Sequence, residues 1–184
     1  MLPNEYNHLA NKLYHAALQN GCFEKFRTDK ELLLSIQSIA FEMFDAYMKQ
    51  LHLKVTDFQE VYDQIVIKRH IEKQYFDFVI KKTFQDVFSD VVICVLCVAA
   101  NKKIQFKSID LIPRNADFVL DFSVFVKQCA TMLDEGINES NLTALFNLTL
   151  NLTNYAFLKK HIELKMIYSE ITLEKFGFGN DVLK

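Results

Sequence analysis

The stretch Ser89–Ala100, SDVVICVLCVAA, decides the fold. Beyond its first two residues it is apolar on every side, and a helix of that kind must be buried all round by its neighbours. Its β-branched residues would also suit a buried strand, but no second strand-like run exists to pair with it, so it reads as the core helix of an all-α bundle. Ser89 is expected to cap this helix, with Asp90 at the positive end of its dipole.

Upstream, unbroken helix from Asp57 to Asn101 would make a rod of about 65 Å, too long for a chain of this size. Breaks are therefore expected near Arg69–Lys73 and Thr83–Ser89. Asp57-Phe-Gln-Glu60 offers an N-terminal cap for the helix carrying Phe58, Val61, Tyr62 and Ile65 on one face. Thr28-Asp-Lys-Glu31 is the clearest cap, a Thr hydroxyl placed to accept the third helical amide while the carboxylate reaches back. Leu33, Ile36, Ala40, Phe44, Tyr47, Met48 and Leu51 keep helical spacing after it. The first helix is expected over Asn4–Asn20, with Tyr6, Leu9, Leu13, Ala16 and Ala17 inward and Gly21 as stop.

Downstream, 102–115 loses periodicity and ends at a Pro113 that disfavours helix at Ile112, which makes it the main irregular connection, with room for a short extended piece around Ile104 and Phe106. A helix follows over Ala116–Glu135, with Phe118, Phe122, Phe125, Val126, Cys129 and Met132 inward and Gly136 as stop. Another runs from Ser140 to about Tyr168, then one last turn over Ile171–Phe176. Residues 177–184 read as a flexible tail. No repeat and no Ser/Gly/Pro-rich linker divides the chain, so one helical domain of six to seven helices is expected over 1–184.

Composition agrees. Four Gly and two Pro in 184 residues leave little turn chemistry for a sheet protein, and 51% hydrophobic residues supply a sizeable core. The net charge of -2 is evenly spread, with 11 basic against 13 acidic residues through Val92 and 10 against 10 after it. Nucleic acid is disfavoured as a partner, because its binders concentrate Lys and Arg to displace counterions. The N-terminus lacks the basic and apolar regions of a signal peptide, and the longest apolar run, Val91–Ala100, is too short to span a bilayer. A cytoplasmic protein with reduced thiols is expected, in the producing cell or in a host if delivered. Eighteen Lys against three Arg, with many Asn, Phe and Ile, point to an AT-rich genome.

Motifs for chemistry are sparse. Cys94-Val-Leu-Cys97 has half-site spacing, but zinc needs four ligands and nothing completes the set. Glu5-Tyr-Asn-His8 is a single copy of an element that di-iron bundles use twice. No nucleophile elbow, phosphate loop or His-Glu-x-x-His helix occurs, so no catalytic residue, metal or cofactor is expected. Asp86, Asp90 and His70 are the only titratable candidates near the core helix. The Asn-x-Ser/Thr sites at Asn138, Asn141, Asn147 and Asn151, and the cluster Lys159, Lys160, His161 and Lys165, read as solvated surface.

Two surfaces remain. Tyr75, Phe76, Phe78, Phe84 and Phe88 crowd a wide arc before the core helix and either fill the core or line a groove for an amphipathic partner. Lys68, Arg69, Lys73, Lys81, Lys82, Lys102, Lys103 and Lys107 could together form a basic surface. The functional expectation is a non-enzymatic interaction module of adaptor, immunity or inhibitor type, engaging another protein or forming a homodimer. The alternative is a small-ligand or lipid-binding domain with an apolar cavity between helices.

Overall fold

The computed structural model describes residues 2–19, 28–70, 72–110 and 117–172, and for Ile171 the backbone alone. Among them are eight α-helices and no strand: α1 Pro3–Gln19, α2 Asp29–Met48, α3 Val55–Tyr62, α4 Lys73–Val79, α5 Phe84–Asn101, α6 Phe118–Glu135, α7 Glu139–Asn151 and α8 Leu158–Thr172. The stretch SDVVICVLCVAA lies inside α5, and all of it except Asp90 and Ala100 is buried. α1 and α2 pack most extensively on α5, with α7 and α8 completing its cover. By length and composition α5 is apolar enough to cross a membrane, which the ten-residue run had not indicated, yet fourteen of its eighteen residues are buried among the other helices.

Helix ends follow local chemistry. Thr28 and Glu31 form the expected capping box, Thr28 Oγ1 accepting from the Glu31 amide at 3.3 Å and Glu31 Oε2 from the Thr28 amide at 2.7 Å. Asp117 caps α6, and Gly136 stops it at φ 78. The cap of α5 is Thr83 and not Ser89: Thr83 Oγ1 accepts from the Asp86 amide, and the extra turn and a half places Phe84, Val87 and Phe88 in the core. Ser89 sits within the helix and donates to the Asp86 carbonyl. α3 begins at Val55 with no side-chain cap, leaving Asp57 in the first turn to face the dipole.

The first break falls where expected, a π-helical turn over Asp63–Ile67 ending α3; the second comes earlier than Thr83–Ser89, with Ile80 to Thr83 separating α4 from α5 and residues 84–89 helical. The span from Ser140 to Tyr168 is two helices, which raises the number above six or seven. Thr153 and Asn154, residue types whose side chains compete for backbone hydrogen bonds, occupy the interruption just after Asn151. Residues 171 and 172 of the expected last turn continue α8, while Gly21, Pro113, residues 173–176 and the tail 177–184 lie outside the described residues.

With few glycines, the chain closes helices on other residues. After α2 and after α5 the backbone forms a Schellman motif, with Leu51 N–H donating to Ala46 O and Gln50 N–H to Tyr47 O, then Ile104 N–H to Ala99 O and Lys103 N–H to Ala100 O. The left-handed positions are Gln50 at φ 55 and Lys103 at φ 56, where a Cβ is unfavourable. Relief of that strain exceeds the entropy that glycine adds to the unfolded chain. Gln50→Gly and Lys103→Gly are each expected to stabilise by about 0.5–1 kcal/mol, a rise of about 1–4 °C in a thermal melt for a chain this long. A fall in Tm would show that these side chains do more than occupy the turn.

The core has two parts. The larger gathers α1, α2, α5, α6 and α7 around Phe88, Phe125 and Phe146. The smaller joins α3, the π turn and α4 around Phe58, Phe76 and Ile80. α8 belongs to both, giving Ile162 and Met166 to the first and Leu164, Ile167 and Tyr168 to the second.

Candidate functional site

Where α8 crosses α5, five polar side chains meet inside the apolar core. Lys165 Nζ lies 2.7 Å from Asp86 Oδ1 and 2.6 Å from Asp90 Oδ2, and donates to the Asp86 carbonyl at 3.0 Å. His161 Nε2 stands 3.4 Å from Asp86 Oδ1, and its Nδ1 meets the Tyr155 hydroxyl at 2.9 Å. A carboxylate only accepts, so its charge favours the ring hydrogen on Nε2, which faces Asp86 without an aligned hydrogen bond, with Nδ1 then accepting from Tyr155. Phe58 stacks on the imidazole with centroids 5.3 Å apart, and Asp86 Oδ2 accepts from the Lys82 amide. His161, Lys165 and Asp86 are buried; Asp90, with 23% of its side chain exposed, is the member nearest solvent.

Burial and pairing pull these groups in different directions. Burial opposes charge on Asp86, but the Lys165 ammonium and His161 outweigh it and hold the carboxyl at about 2. For Asp90 burial, aided by repulsion from Asp86, outweighs the ammonium and pushes the carboxyl up to about 6. Burial holds His161 below its ordinary value against the pull of Asp86, so the ring is neutral near pH 7. Burial alone would lower Lys165, yet its two carboxylates raise it. The site therefore holds two carboxylates, one ammonium and a neutral imidazole.

A definite pH response follows. Lys165 is raised in the fold, so its contribution is intact below the unfolded value near 10.4 and is lost as pH climbs through the folded one. Burial also raises the Tyr155 phenol and pushes Cys129 up to about 12, so the unfolded chain releases these protons first and stability again falls with rising pH. Between pH 7 and 5 the raised Asp90 and the lowered His161 act with opposite sign. Thermal midpoints are expected to hold level near neutrality, begin to fall at about pH 9 as Cys129 titrates in the unfolded chain, and fall steeply above about pH 10 as Tyr155 and Lys165 follow. A level midpoint to pH 11 would contradict the ion pairing.

Asp86 and Asp90 stand in this network as candidates named from sequence, whereas His70 is exposed beside Glu72, 3.7 Å away. The run Lys159, Lys160, His161 and Lys165 divides: the first two are exposed and the last two buried, contrary to the solvated reading. A signal was present. His161 and Lys165 share a helical face with Leu158 and Ile162, just as Asp86 and Asp90 lie one turn apart on the core helix. The glycosylation-type asparagines are not a solvated face either: Asn138 caps α7, Asn141 is buried, and Asn147 and Asn151 are half-buried.

The five aromatics do not share a groove. Phe84 and Phe88 lie in the larger core, Phe76 stacks on Tyr168 at 3.8 Å in the smaller one, and Tyr75 is half-buried with its hydroxyl on Glu60. Phe78 alone is open, 88% exposed. The basic residues are likewise apart. Lys102 pairs with Asp29, Lys107 with Glu139 and Lys81 with Asp77, while Lys68, Arg69, Lys73, Lys82 and Lys103 are exposed on several helix ends.

What does stand open is one edge of α2. Leu34, Phe41 and Met48, spaced seven apart, are 51%, 53% and 59% exposed, and Leu51 extends the line toward a hollow shared with Phe78. Phe41 touches Phe122 of α6 edge to face, and Val119, one turn before Phe122, is exposed too. Of the residues that keep helical spacing after Thr28, Leu33, Ile36 and Ala40 are buried, whereas Met48 and Leu51 are exposed. A separate cleft of about 650 Å³ between α1 and α8 has Leu9, Met166 and Ile167 on its floor and His8, Lys12, Arg69 and Glu170 on its rim. It is open to solvent, unlike the closed apolar cavity the ligand-binding alternative requires. No described cleft reaches the buried network, and no group of His, Cys, Asp or Glu among the described residues could hold a metal ion.

No protein-family model, curated protein or solved structure matches this chain.

Proposed function

We propose that the protein is a non-enzymatic interaction module that engages another protein chain through the apolar α2 edge. The observation that carries this reading is the exposed stripe Leu34, Phe41 and Met48, with exposed Leu51 just past the helix end and Phe41 touching Phe122 of α6, one turn after exposed Val119. Scattered apolar residues on a surface are ordinary, but three large ones aligned along one helix face, with Gln37, Ser38 and Asp45 on the turns between, have the character of a contact surface. The buried network supports the same reading from the other side. It carries shifted carboxylates and an imidazole, yet lies between α5 and α8 with only Asp90 reaching toward solvent, where it ties together the scaffold that presents α2. Cys94, Cys97 and Cys129 are buried thiols, which suits a reducing cytoplasmic setting.

The test is affinity capture at moderate salt with nuclease, using the wild-type chain beside a Phe41→Glu/Met48→Glu variant. Both positions are exposed, so the variant is expected to melt within a few degrees of wild type. Wild type should recover a stoichiometric, nuclease-resistant protein, whether a different chain or an untagged copy of this one, and the variant should lose it. Undiminished recovery by the variant, or recovery of nucleic acid alone, refutes the proposal.

A further inference from the structure

We infer that the occupant of the α2 edge is a second copy of this chain, paired antiparallel about a two-fold axis beside Phe41. This rests on the reading of that edge as a contact surface and deepens it by naming the partner. A two-fold interface needs a self-complementary patch in which residue i meets j while j meets i. The stripe has that form: Leu34 lies seven residues before Phe41 and Met48 seven after, so antiparallel pairing sets Phe41 on Phe41 and Leu34 on Met48 at both ends. Residues seven apart drift by about 20° per step on a straight helix, and two such lines meet at the shallow crossing typical of antiparallel helix pairs.

Charge favours this orientation. The first turn of α2 carries Asp29 and Glu31, whereas Lys49 follows its last turn. Antiparallel packing opposes the two helix dipoles and sets Lys49 of each copy, paired with Asp45 of its own helix, near the first turn of the other, where Asp29 is held by Lys102 and Glu31 by Thr28. Asp45 meets Ser38 across the seam, and the exposed Glu42 beside the axis stands on the outer flank, where it approaches its own copy. The size is appropriate for a weak dimer. Half-exposed, Leu34, Phe41 and Met48 together leave on the order of 300 Å² in water, already the scale of the largest apolar patch on an ordinary monomer. Doubled by symmetry and widened by Leu51, Val119 and the polar rim, the contact reaches about 1,000 Å², where specific association begins.

The experiment combines sedimentation of the purified full chain with thiol crosslinking. Wild type is expected to pass from monomer to dimer between about 1 and 100 µM, and Phe41→Glu to remain a monomer. Single cysteines at the stripe, in a Cys22→Ser background whose other thiols are buried, then read the register with a short bismaleimide. Phe41→Cys should crosslink to itself, and Leu34→Cys should crosslink when mixed with Met48→Cys. Leu34→Cys alone should not, since antiparallel pairing sets the two copies of residue 34 about 21 Å apart. Efficient self-crosslinking of Leu34→Cys would overturn the antiparallel register. A wild-type monomer throughout would overturn the dimer, yet capture of another protein lost in the Phe41→Glu/Met48→Glu variant would leave the broader function standing. If capture were also indifferent to that variant, both would fall.

Discussion

Replacing Lys165 with Met lowers the unfolding free energy by about 3–5 kcal/mol, read as a drop in urea midpoint at unchanged slope. Met fills a volume similar to the Lys stem, so little of the loss comes from packing. The cost arises because Asp86 and Asp90 remain in a site built around one ammonium, 2.7 and 2.6 Å from it, with no solvent to replace it at Asp86. Adding Asp86→Asn and Asp90→Asn to Lys165→Met should recover most of the stability, since uncharged side chains of the same shape leave no buried charge. The single variant also carries a pH signature that lost packing would not. Without Lys165 both carboxyls move up, so its stability rises as pH falls from 7 toward 5, where wild type is nearly level. A loss below about 1 kcal/mol would place the interaction among ordinary surface pairs.

The features legible from sequence are those whose cause is local. SDVVICVLCVAA demanded burial on every side, and Thr28 with Glu31, or Gly136 after Glu135, end helices through atoms a few residues apart. Misplaced boundaries came from competition between local signals: Thr83 and Ser89 are both good caps, and the choice of Thr83 is made by the core, which accepts Phe84, Val87 and Phe88 only if the helix begins early. The buried network was half visible. Asp86 and Asp90 stand on the core helix and could be named, but their partners lie on α8, a helix buried between two clusters and thus without a clean polar face. On such a helix a buried Lys165 and an exposed Lys159 look alike until the partner helix is in place. The aromatic segment shows the same limit. Phe76 and Phe78 are two residues apart, yet α4 turns one into the smaller core and the other into solvent.

Phe106→Ala is expected to cost about 3–5 kcal/mol although the residue lies in the irregular connection and in no helix. Its ring is 1% exposed and stacks on Phe146 at 4.4 Å, where Phe146 in turn receives Tyr6 edge-on, so truncation opens a cavity among α1, α7 and the connection. The backbone is held as well. Asn7 Nδ2 donates to the Phe106 carbonyl at 2.9 Å, and its Oδ1 accepts from the Phe106 amide at 2.8 Å, so one side chain satisfies both groups as a neighbouring strand would. The described half of 102–115 is thereby anchored to α1 at a point with neither helix nor sheet to hold it. Asn7→Ala should cost about 1–3 kcal/mol by leaving the pair unmet, and Asn7→Asp should fail to rescue it, because a carboxylate accepts from the amide but repels the carbonyl. Amide exchange separates the two anchors: Asn7→Ala is expected to speed exchange at Phe106 at least about tenfold while amides within α5 keep their protection. Unchanged exchange at Phe106 in that variant would mean that the stacked ring alone secures the connection, and the asparagine clamp would then be a consequence of the packing and not its cause.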